Sequence, residues 1–315
     1  MIVDNLIVTG GLGFIGKNFC ERICGNYKNK YIIDRGTYAS DLDFYYRILK
    51  GAGWELIIAD VNEIGEISRI RGLENMLIVN FAAESHVDHS FSNANHFMKA
   101  NALGTLSVLD FCRETNARLI HISTDEIYGE VIGNPATEDS LLNPSNPYSA
   151  TKAAADLLAQ TYARCFNVDV KTIRANNVFG SGQLSEKVIP KAVEYASLGK
   201  KFEIHGQKDL RRHFLHTSDF TSAIVCIIDT WDECEHRIFN ISGNESYLIR
   251  ELVCRIYEHL GVSQDLVING EDRAFNDTEY SINDDRLRGL GWAPKVDFWK
   301  AIRSICDERS YFLGR

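Results

Sequence analysis

The stretch "NLIVTGGLGFIGKNF" (residues 5–19) decides the fold. Its apolar run ends at Gly10, and Gly13 and Gly16 follow at intervals of three residues before a helical pattern begins. Glycines in such a turn let the backbone approach a pyrophosphate, and the N-terminus of the next helix offers N–H groups and positive partial charge. The stretch predicts the strand, turn and helix that open a dinucleotide-binding domain. A tight glycine turn that binds no ligand is the alternative.

Outward from this turn, short apolar runs alternate with helical patterns. The runs, interpreted as strands, lie at residues 5–10, 31–35, 55–60, 77–83, 118–124 and 168–175. The helical patterns lie near residues 14–26, 62–71, 95–115 and 148–166. Continuous apolar strands that alternate with helices are typical of a parallel sheet covered on both faces. The pattern predicts an α/β fold with a doubly wound parallel sheet of the Rossmann type.

The alternation changes after the sixth run. A helical pattern that ends at Gly199 precedes the strand-like run "KFEIHG" (201–206), and the run "HRIFNISG" (236–243) precedes a helical pattern near 248–260 and a loop-rich tail. We therefore predict a dinucleotide-binding domain over residues 1–175 and a smaller mixed α/β substrate lobe over 176–315, from which some segments return to the first domain. The ligand cleft is expected at the C-termini of the strands.

The composition narrows the classes of partner. The 315 residues carry a net charge of −9 and no long basic run, which argues against nucleic acid and anionic membranes. No apolar run approaches the ~18 residues that span a bilayer, and the first strand begins at once, so neither a membrane segment nor a signal peptide is expected. The eight cysteines are scattered without a CxxC pair. This predicts reduced thiols, no metal site and a cytoplasmic location.

Two aspartates end the second and third predicted strands. Asp34 follows Gly16 by eighteen residues, and a carboxylate there can accept both ribose hydroxyls of adenosine while repelling a 2′-phosphate. This favours NAD over NADP, although the neighbouring Arg35 weakens the preference. Asp60 could lie near the adenine. The alternative for both aspartates is a surface position at a strand end.

A tyrosine and a lysine stand four residues apart in "NPYSATK" (146–152). Tyr148 and Lys152 therefore lie on one face at the start of a helix. A free tyrosine titrates near ~10, and an ammonium held close lowers that value by favouring the phenolate. Such a pair can deprotonate an alcohol while hydride leaves the same carbon. The alternative is two solvated helix residues.

The run "RLIHI" (118–122) leads into "STDEIYGE" (123–130), which places a hydroxyl and two adjacent carboxylates at a strand end. Like charges side by side are unfavourable, so such a pair suggests a use for them. A polar loop that caps a helix is the alternative interpretation of Asp125 and Glu126.

These motifs together resemble the extended short-chain dehydrogenase/reductases and, within them, the nucleotide-sugar 4,6-dehydratases that act on dTDP-glucose or UDP-glucose. "TDE" (124–126) resembles the dehydratase signature, whereas the glycine turn and the Tyr-Lys helix are shared with epimerases and decarboxylases. The other matching stretches, which cover nearly the whole chain, are "IDRGTYASDL" (33–42), "NFAAESHVDHS" (80–90), "RANNVFG" (174–180), "EKVIPK" (186–191), "LRRHFLHTSD" (210–219), "FNISG" (239–243) and "EDRAFNDTEYSIND" (271–284).

The resemblance implies a lyase reaction. Bound NAD oxidises C4 of the sugar, water is eliminated across C5–C6, and hydride returns to C6 to give a 4-keto-6-deoxy sugar. Glu126 would take the C5 proton, Asp125 would protonate the C6 hydroxyl, and Thr124 would hydrogen-bond the C4 oxygen. Tyr148 and Lys152 complete the implied catalytic set.

The resemblance also implies binding residues and a homodimer. The cofactor set is Gly10, Gly13, Phe14, Ile15, Gly16, Asp34, Asp60, Val61, Ala82, Ala83, Tyr148 and Lys152. For the nucleotide-diphosphate sugar the resemblance gives Asn177, Arg212 and Arg273, to which Lys187 is added for its positive charge and Ser85 for its position at the end of the fourth strand. In the superfamily the Tyr-Lys helix and the helix near 95–115 commonly pair with those of a second copy.

Some alternatives stay open. A UDP-hexose 4-epimerase or UDP-glucuronate decarboxylase would use the same Tyr148 and Lys152, and a non-catalytic NAD-binding protein is a more remote possibility. His213 and Phe214 replace the Asp-Trp of many dTDP-glucose enzymes, and "DRAFND" (272–277) is closer to the UDP-glucose branch. The nucleotide base is therefore left open.

Overall fold

The computed structural model describes residues 3–25, 27–205, 210–271 and 277–312, without the side chains of 309–312. Seven of its strands form one parallel sheet, and five form two small sheets. The strands are β1 (Asn5–Thr9), β2 (Asn29–Asp34), β3 (Trp54–Ile58), β4 (Met76–Asn80), β5 (Arg118–Thr124), β6 (Val170–Ala175), β7 (Asn177–Phe179), β8 (Phe202–His205), β9 (Arg211–His216), β10 (Ile238–Ile241), β11 (Ser246–Leu248) and β12 (Val267–Gly270).

Helices cover both faces of the large sheet and surround the small ones. They are α1 (Phe14–Arg22), α2 (Leu42–Phe44), α3 (Ser68–Arg71), α4 (Val87–Ser92), α5 (Ala94–Phe97), α6 (Gly104–Thr115), α7 (Pro147–Phe166), α8 (Val188–Ser197), α9 (Thr217–Asp229), α10 (Ile249–His259), α11 (Asp285–Arg288) and α12 (Phe298–Phe312). Among the described residues, no helix is long and apolar enough to cross a membrane.

The large sheet has the order β10-β6-β5-β4-β1-β2-β3, and each neighbouring pair is parallel. Leu6 and Val8 of β1 pack into the core on one face, and Ile7 packs into the core on the other. Strands β2 and β3 follow on one side of β1, and the chain then returns to place β4, β5 and β6 on its other side. In such sheets a ligand crevice lies at the carboxyl ends of the strands beside this reversal. The predicted Rossmann-type sheet is confirmed, and all six predicted strands are present.

Two of the predicted helices are divided in the structure. A single helix near 62–71 is wrong, because a 3₁₀ turn at Val61–Glu66 gives way to an extended Ile67 before α3 begins. Ile64, Ile67 and Ile70 recur at every third residue, the period of a 3₁₀ helix, and pack into the core. The helix predicted near 95–115 contains a π-helical stretch at Met98–Leu103 between α5 and α6.

The second half of the chain builds part of the first layer. β10 pairs with β6 in the large sheet, and α9 packs beside α1 through Phe220 and Ile224 in the same core as Phe19. The remaining strands form the sheets β11-β9-β7 and β12-β8, which pack with α8, α10 and α12 around a separate core. The division of the chain at residue 175 stays a prediction.

The glycine turn is fixed by close backbone contacts. Gly10 has φ +64°, and a Cβ atom built on it would lie 2.7 Å from the Ala82 nitrogen. A Cβ atom on Gly16 would lie 2.3 Å from the Gly10 oxygen and 2.8 Å from the Gly11 Cα. Both positions therefore exclude a side chain, because the obstacles are main-chain atoms that cannot rotate away.

We predict that Gly16→Ala lowers the free energy of unfolding by about 1–3 kcal/mol, the usual effect of forcing a methyl group into a packed site. Gly65→Ala is the matched control, since nothing lies within 4 Å of the Cβ atom built there. Its effect should stay within about 0.5 kcal/mol. Urea denaturation of both variants tests this, and equal stabilities would contradict the packing argument.

Candidate active site

The carboxyl ends of the parallel strands open into two adjoining cavities. The first lies beside β1, β2 and β4, and the second, which is larger, lies between the large sheet and the 176–189 segment. Gly10 and Gly13 line both cavities. The glycine turn therefore lies where the two spaces meet, as expected for the part of a site that receives a pyrophosphate.

All twelve residues predicted to bind the cofactor line one of these cavities. Those in the first are Gly10, Gly13, Asp34, Asp60, Val61, Ala82 and Ala83. Those in the second are Gly10, Gly13, Phe14, Ile15, Gly16, Ala83, Tyr148 and Lys152. A Cβ atom on Gly13, the N-cap of α1, would meet only the Gly10 oxygen at 3.3 Å, so the turn leaves room for a ligand. The residues fit NAD along this path.

At the end of β2, hydrogen bonds hold the carboxylate of Asp34, and acidic side chains neutralise the neighbouring Arg35. Asp34 is buried, and its carboxylate accepts hydrogen bonds from the Leu12 nitrogen at 3.0 Å and the Ser40 hydroxyl at 2.7 Å. Arg35 contacts the carboxylates of Asp60 and Glu84. Since two acids already engage the arginine, its charge is poorly available for a 2′-phosphate, which agrees with the prediction of NAD.

The stretch "TDE" forms the start of a one-turn 3₁₀ helix, Asp125–Tyr128, at the end of β5. Thr124 Oγ1 accepts a hydrogen bond from the Glu126 nitrogen at 3.3 Å and donates one to Asp125 Oδ1 at 3.1 Å. Asn176, just after β6, donates to Asp125 Oδ2 at 2.7 Å. Asn146, just before α7, donates to Glu126 Oε2 at 3.2 Å. The two carboxylates are thus held by amides from different elements.

The two adjacent carboxyl groups differ in their electrostatic surroundings. Burial raises the pKa of Asp125 to about 7, and the neighbouring charge of Glu126 adds to this effect. Burial also raises the pKa of Glu126, but the Asn146 hydrogen bond and the charges of Lys187 and Arg212 oppose that shift. One group can therefore carry a proton at neutral pH while its neighbour accepts one, which suits paired acid and base chemistry.

Tyr148 and Lys152 lie on the first turns of α7. Asn146 caps this helix in a capping box with Ser149, and Pro147 occupies its first turn. Both side chains line the larger cavity beside Thr124, Asp125 and Glu126. The five predicted catalytic residues are therefore brought together.

Burial governs the protonation of this pair. Burial and the charge of Glu126 raise the pKa of Tyr148, and a hydrogen bond with Thr124 opposes this only in part. The ammonium of Lys152 donates to the Ile122 oxygen at 2.6 Å, and burial lowers its pKa to about 8. The expectation that Lys152 lowers the pKa of Tyr148 stays a prediction, since in this structure burial and Glu126 dominate and the ammonium donates to a main-chain carbonyl.

The predicted substrate residues differ in whether they line the larger cavity. Ser85, Asn177 and Lys187 line the larger cavity, and Lys187 Nζ donates to the Ser85 oxygen at 2.9 Å. Arg212 lines neither cavity, although its charge opposes the rise in the Asp125 and Glu126 pKa values. Arg273 lies outside the described residues.

Arg212 is engaged by the main chain. Its guanidinium donates to the Asp277 oxygen at 2.8 Å and the Thr278 oxygen at 3.0 Å, and it lies over the Tyr280 ring at 4.7 Å. In this structure it anchors the start of the 277–284 segment. Its predicted role as a phosphate ligand stays a prediction.

Sequence reasoning missed two asparagines of the site. Asn146 was seen only as part of the Asn-Pro pair, and its position as helix cap was the available signal. Asn176 was passed over for its neighbour Asn177, whose side chain is exposed. The Oδ1 atom of Asn176 is buried and has no hydrogen-bond partner among the described residues. Since Asn176 also lines the larger cavity, that oxygen can accept a hydrogen bond from a ligand.

Comparison with known proteins gives one family over most of the chain. Residues 6–242 match the model of the NAD-dependent epimerase/dehydratase family. The chain is 34% identical to the low-salt glycan biosynthesis protein Agl12 of Haloferax volcanii, over 98% of this chain and 99% of that protein.

A plant protein and a solved structure are also similar. The chain is 33% identical to the trifunctional UDP-glucose 4,6-dehydratase/epimerase/reductase RHM2 of Arabidopsis thaliana, over 96% of this chain but 46% of that protein. It thus spans about half the length of the plant protein. The crystal structure of DesIV, a dTDP-glucose 4,6-dehydratase from Streptomyces venezuelae with NAD bound, superimposes with a TM-score of 0.90 at 31% identity. That match covers 99% of this chain and 98% of the other.

We predict that the Asp125 carboxyl titrates near pH 7, protonated below and ionised above. Aspartates labelled with ¹³C at the carboxyl carbon and followed by NMR report this midpoint, and Asp125→Asn identifies the signal. The Asn176 hydrogen bond stabilises the ionised form of Asp125 and so lowers its pKa. In Asn176→Ala this bond is lost, and the midpoint should move to higher pH. A wild-type midpoint near the usual aspartate value of about 3.9 would contradict the burial argument.

Proposed function

The chain belongs to the NAD-dependent epimerase/dehydratase family, and on that premise we propose that it is a nucleoside-diphosphate-glucose 4,6-dehydratase. The observation that carries this proposal is the meeting of Asp125 and Glu126 with Tyr148 and Lys152 in one cavity. An alcohol oxidation alone needs only the second pair. A dehydration needs two further acid and base groups with different proton affinities.

The proposed reaction assigns one task to each side chain. NAD, which the residues of the glycine turn and Asp34 would hold, would supply the acceptor for the C4 hydride and its donor to C6. Tyr148 takes the proton of the C4 hydroxyl, with Lys152 beside it on the same helix face, and the resulting C4 carbonyl makes the C5 hydrogen acidic. Thr124 hydrogen-bonds the C4 oxygen.

The elimination itself falls to the adjacent carboxyl groups. Glu126 removes the C5 proton, and the protonated Asp125 gives its proton to the C6 hydroxyl, which leaves as water. Glu126 then returns a proton to C5 as C6 is reduced, so the product is a 4-keto-6-deoxy sugar. The pKa of Asp125 near 7 supports its role as the acid, since an ordinary aspartate would hold almost no proton at neutral pH.

Four of the described residues are proposed to hold the nucleotide-diphosphate sugar. A chain of net charge −9 needs local positive charge to bind a diphosphate, and Lys187 and Arg212 supply it. Ser85 and Asn177 are proposed to contact the substrate beside them. The names of the relatives include both UDP-glucose and dTDP-glucose dehydratases, so both sugars are proposed as candidate substrates.

Incubation with UDP-glucose and dTDP-glucose in separate reactions tests the proposal. We expect ¹H NMR to show a new C6 methyl signal with at least one of them, because hydride transfer to C6 converts a hydroxymethyl to a methyl group. A 4-epimerase would give a changed hexose without a methyl signal. That outcome, or no change in either sugar, would overturn the proposed function.

The variant Glu126→Gln provides the matched control for this assay. It keeps the size and hydrogen-bonding shape of the side chain but removes the base. It should still bind NAD and substrate, yet lose both the methyl product and the exchange of the C5 hydrogen with deuterated water.

The homodimer and the cytoplasmic location are part of the same proposal. Met98, Leu103 and Leu157 are 43%, 49% and 49% exposed on the helices that the resemblance predicts to pair. Burial of these apolar side chains against a second copy would remove them from water. The eight cysteines are all unpaired, which supports a reducing compartment.

Sedimentation equilibrium tests the dimer. The wild-type protein should have twice the 35.6 kDa mass of the chain. Leu103→Glu with Leu157→Glu should give a monomer, because charges would replace apolar contacts. Leu141→Glu is the control, since Leu141 is 90% exposed and lies in the loop before α7 rather than on either helix, and it should stay dimeric. A monomeric wild type at micromolar concentration would refute the proposal.

A further inference from the structure

A buried ion pair lies beneath the active site and takes no part in the proposed chemistry. Asp156 is 0% exposed and Arg174 is 1% exposed. The Arg174 guanidinium donates from Nε to Asp156 Oδ2 at 3.0 Å and from its Nη2 atom to Asp156 Oδ1 at 2.8 Å. The contact is therefore bidentate, a geometry that fixes both side chains relative to each other.

The acidic partner belongs to the helix that carries the Tyr-Lys pair. Asp156 follows Lys152 by four residues and Tyr148 by eight on α7, so all three lie along one helix face. All three are buried against the large sheet. A displacement of Asp156 would therefore be transmitted directly to the turn of α7 that holds Lys152.

The basic partner reaches the turn that carries the carboxyl pair. The Nη1 atom of Arg174 donates to the Tyr128 hydroxyl at 2.7 Å and to the Glu138 oxygen at 3.0 Å. Tyr128 is the last residue of the 3₁₀ turn that begins at Asp125. Its hydroxyl in turn donates to Asn240 Oδ1 at 2.8 Å. One guanidinium thus joins α7 to the turn of Asp125 and Glu126.

Stability alone gives a weak reason for this arrangement. Two buried charges lose their hydration, and well-packed apolar residues in their place are often equally stabilising or more so. What an apolar replacement cannot supply is a directional bond to a hydroxyl on the neighbouring turn. The feature that distinguishes the network is therefore the defined position it gives to Tyr128.

We propose that Arg174 and Tyr128 are positioning residues that hold the Asp125–Glu126 turn at a fixed place relative to Tyr148 and Lys152. The two pairs act on adjacent carbons of one hexose in the proposed reaction, so their separation must match the sugar. This inference rests on the proposed function. It predicts that damage to the network impairs the elimination more than the oxidation at C4.

The variant Tyr128→Phe tests the inference, because it removes one hydroxyl and keeps the ring. The rate of C5 exchange with deuterated water and of methyl formation should fall about tenfold to hundredfold, the effect expected of a small misplacement of reacting groups. Oxidation at C4, followed in a single turnover by the absorbance of the reduced nicotinamide, should stay within about twofold. The reduced nicotinamide should therefore accumulate in the variant beyond the wild-type level.

Tyr257→Phe is the matched control. Tyr257 is 0% exposed on α10, and its hydroxyl donates to the Lys200 oxygen at 2.8 Å, outside the network. This variant should match the wild type in both half-reactions. Thermal unfolding and NAD binding are measured for both variants to show that each is folded and loaded.

Several outcomes separate the two hypotheses. A wild-type protein that forms no methyl product overturns the proposed function itself. If the wild type is active, equal losses of oxidation and elimination in Tyr128→Phe overturn the positioning role. An unchanged Tyr128→Phe enzyme overturns it as well, and so does a Tyr257→Phe enzyme with the same selective defect. A Tyr128→Phe protein that does not fold is replaced by Asn240→Leu, which has a similar size but removes the acceptor of the Tyr128 hydroxyl and should show the same selective loss.

Discussion

The structure depends on the burial of two adjacent carboxyl groups at the end of β5. Water would normally solvate such a pair, and the loss of this water on burial raises the pKa of both carboxyl groups. Three polar side chains from separate elements replace that solvation: Thr124, Asn146 and Asn176. The two groups still differ in proton affinity, because the charge of Glu126 adds to the raised pKa of Asp125, whereas the Asn146 hydrogen bond and the charge of Lys187 oppose the rise at Glu126. The surrounding fold can be understood as the support that keeps these donors in place.

A parallel sheet solves the problem of assembling such a site from distant residues. Its strands all end at one edge, so the residues after β1, β2, β4, β5 and β6 meet there although they are far apart in sequence. The edge carries glycines where a ligand must approach and acids where protons must move. The second half of the chain then closes the larger cavity with the segment that includes Lys187.

Much of this arrangement could be predicted from the sequence, for reasons tied to particular residues. Gly10 and Gly16 are required by main-chain contacts that no side chain could tolerate, so the local spacing was enough to locate the turn. Asn176 could not be chosen over Asn177, because the choice depends on which of the two faces the end of β5. The raised pKa of Tyr148 was also beyond the sequence, since it depends on burial and on the charge of Glu126 in the folded site. The period of three in Ile64, Ile67 and Ile70 was visible but was interpreted as an α-helix.

The position of β10 has a consequence for how this enzyme class can be recombined. Asn240 lies on that strand, at the far edge of the large sheet and 112 residues after Tyr128, whose hydroxyl it receives. A chimaera that joined the first 175 residues of one parent to the remainder of another would therefore take Tyr128 from one parent and its hydrogen-bond acceptor on β10 from the other. Such hybrids would keep the cofactor crevice but could misplace the Asp125–Tyr128 turn. A crossover that takes β10 and this turn from the same parent would avoid the problem.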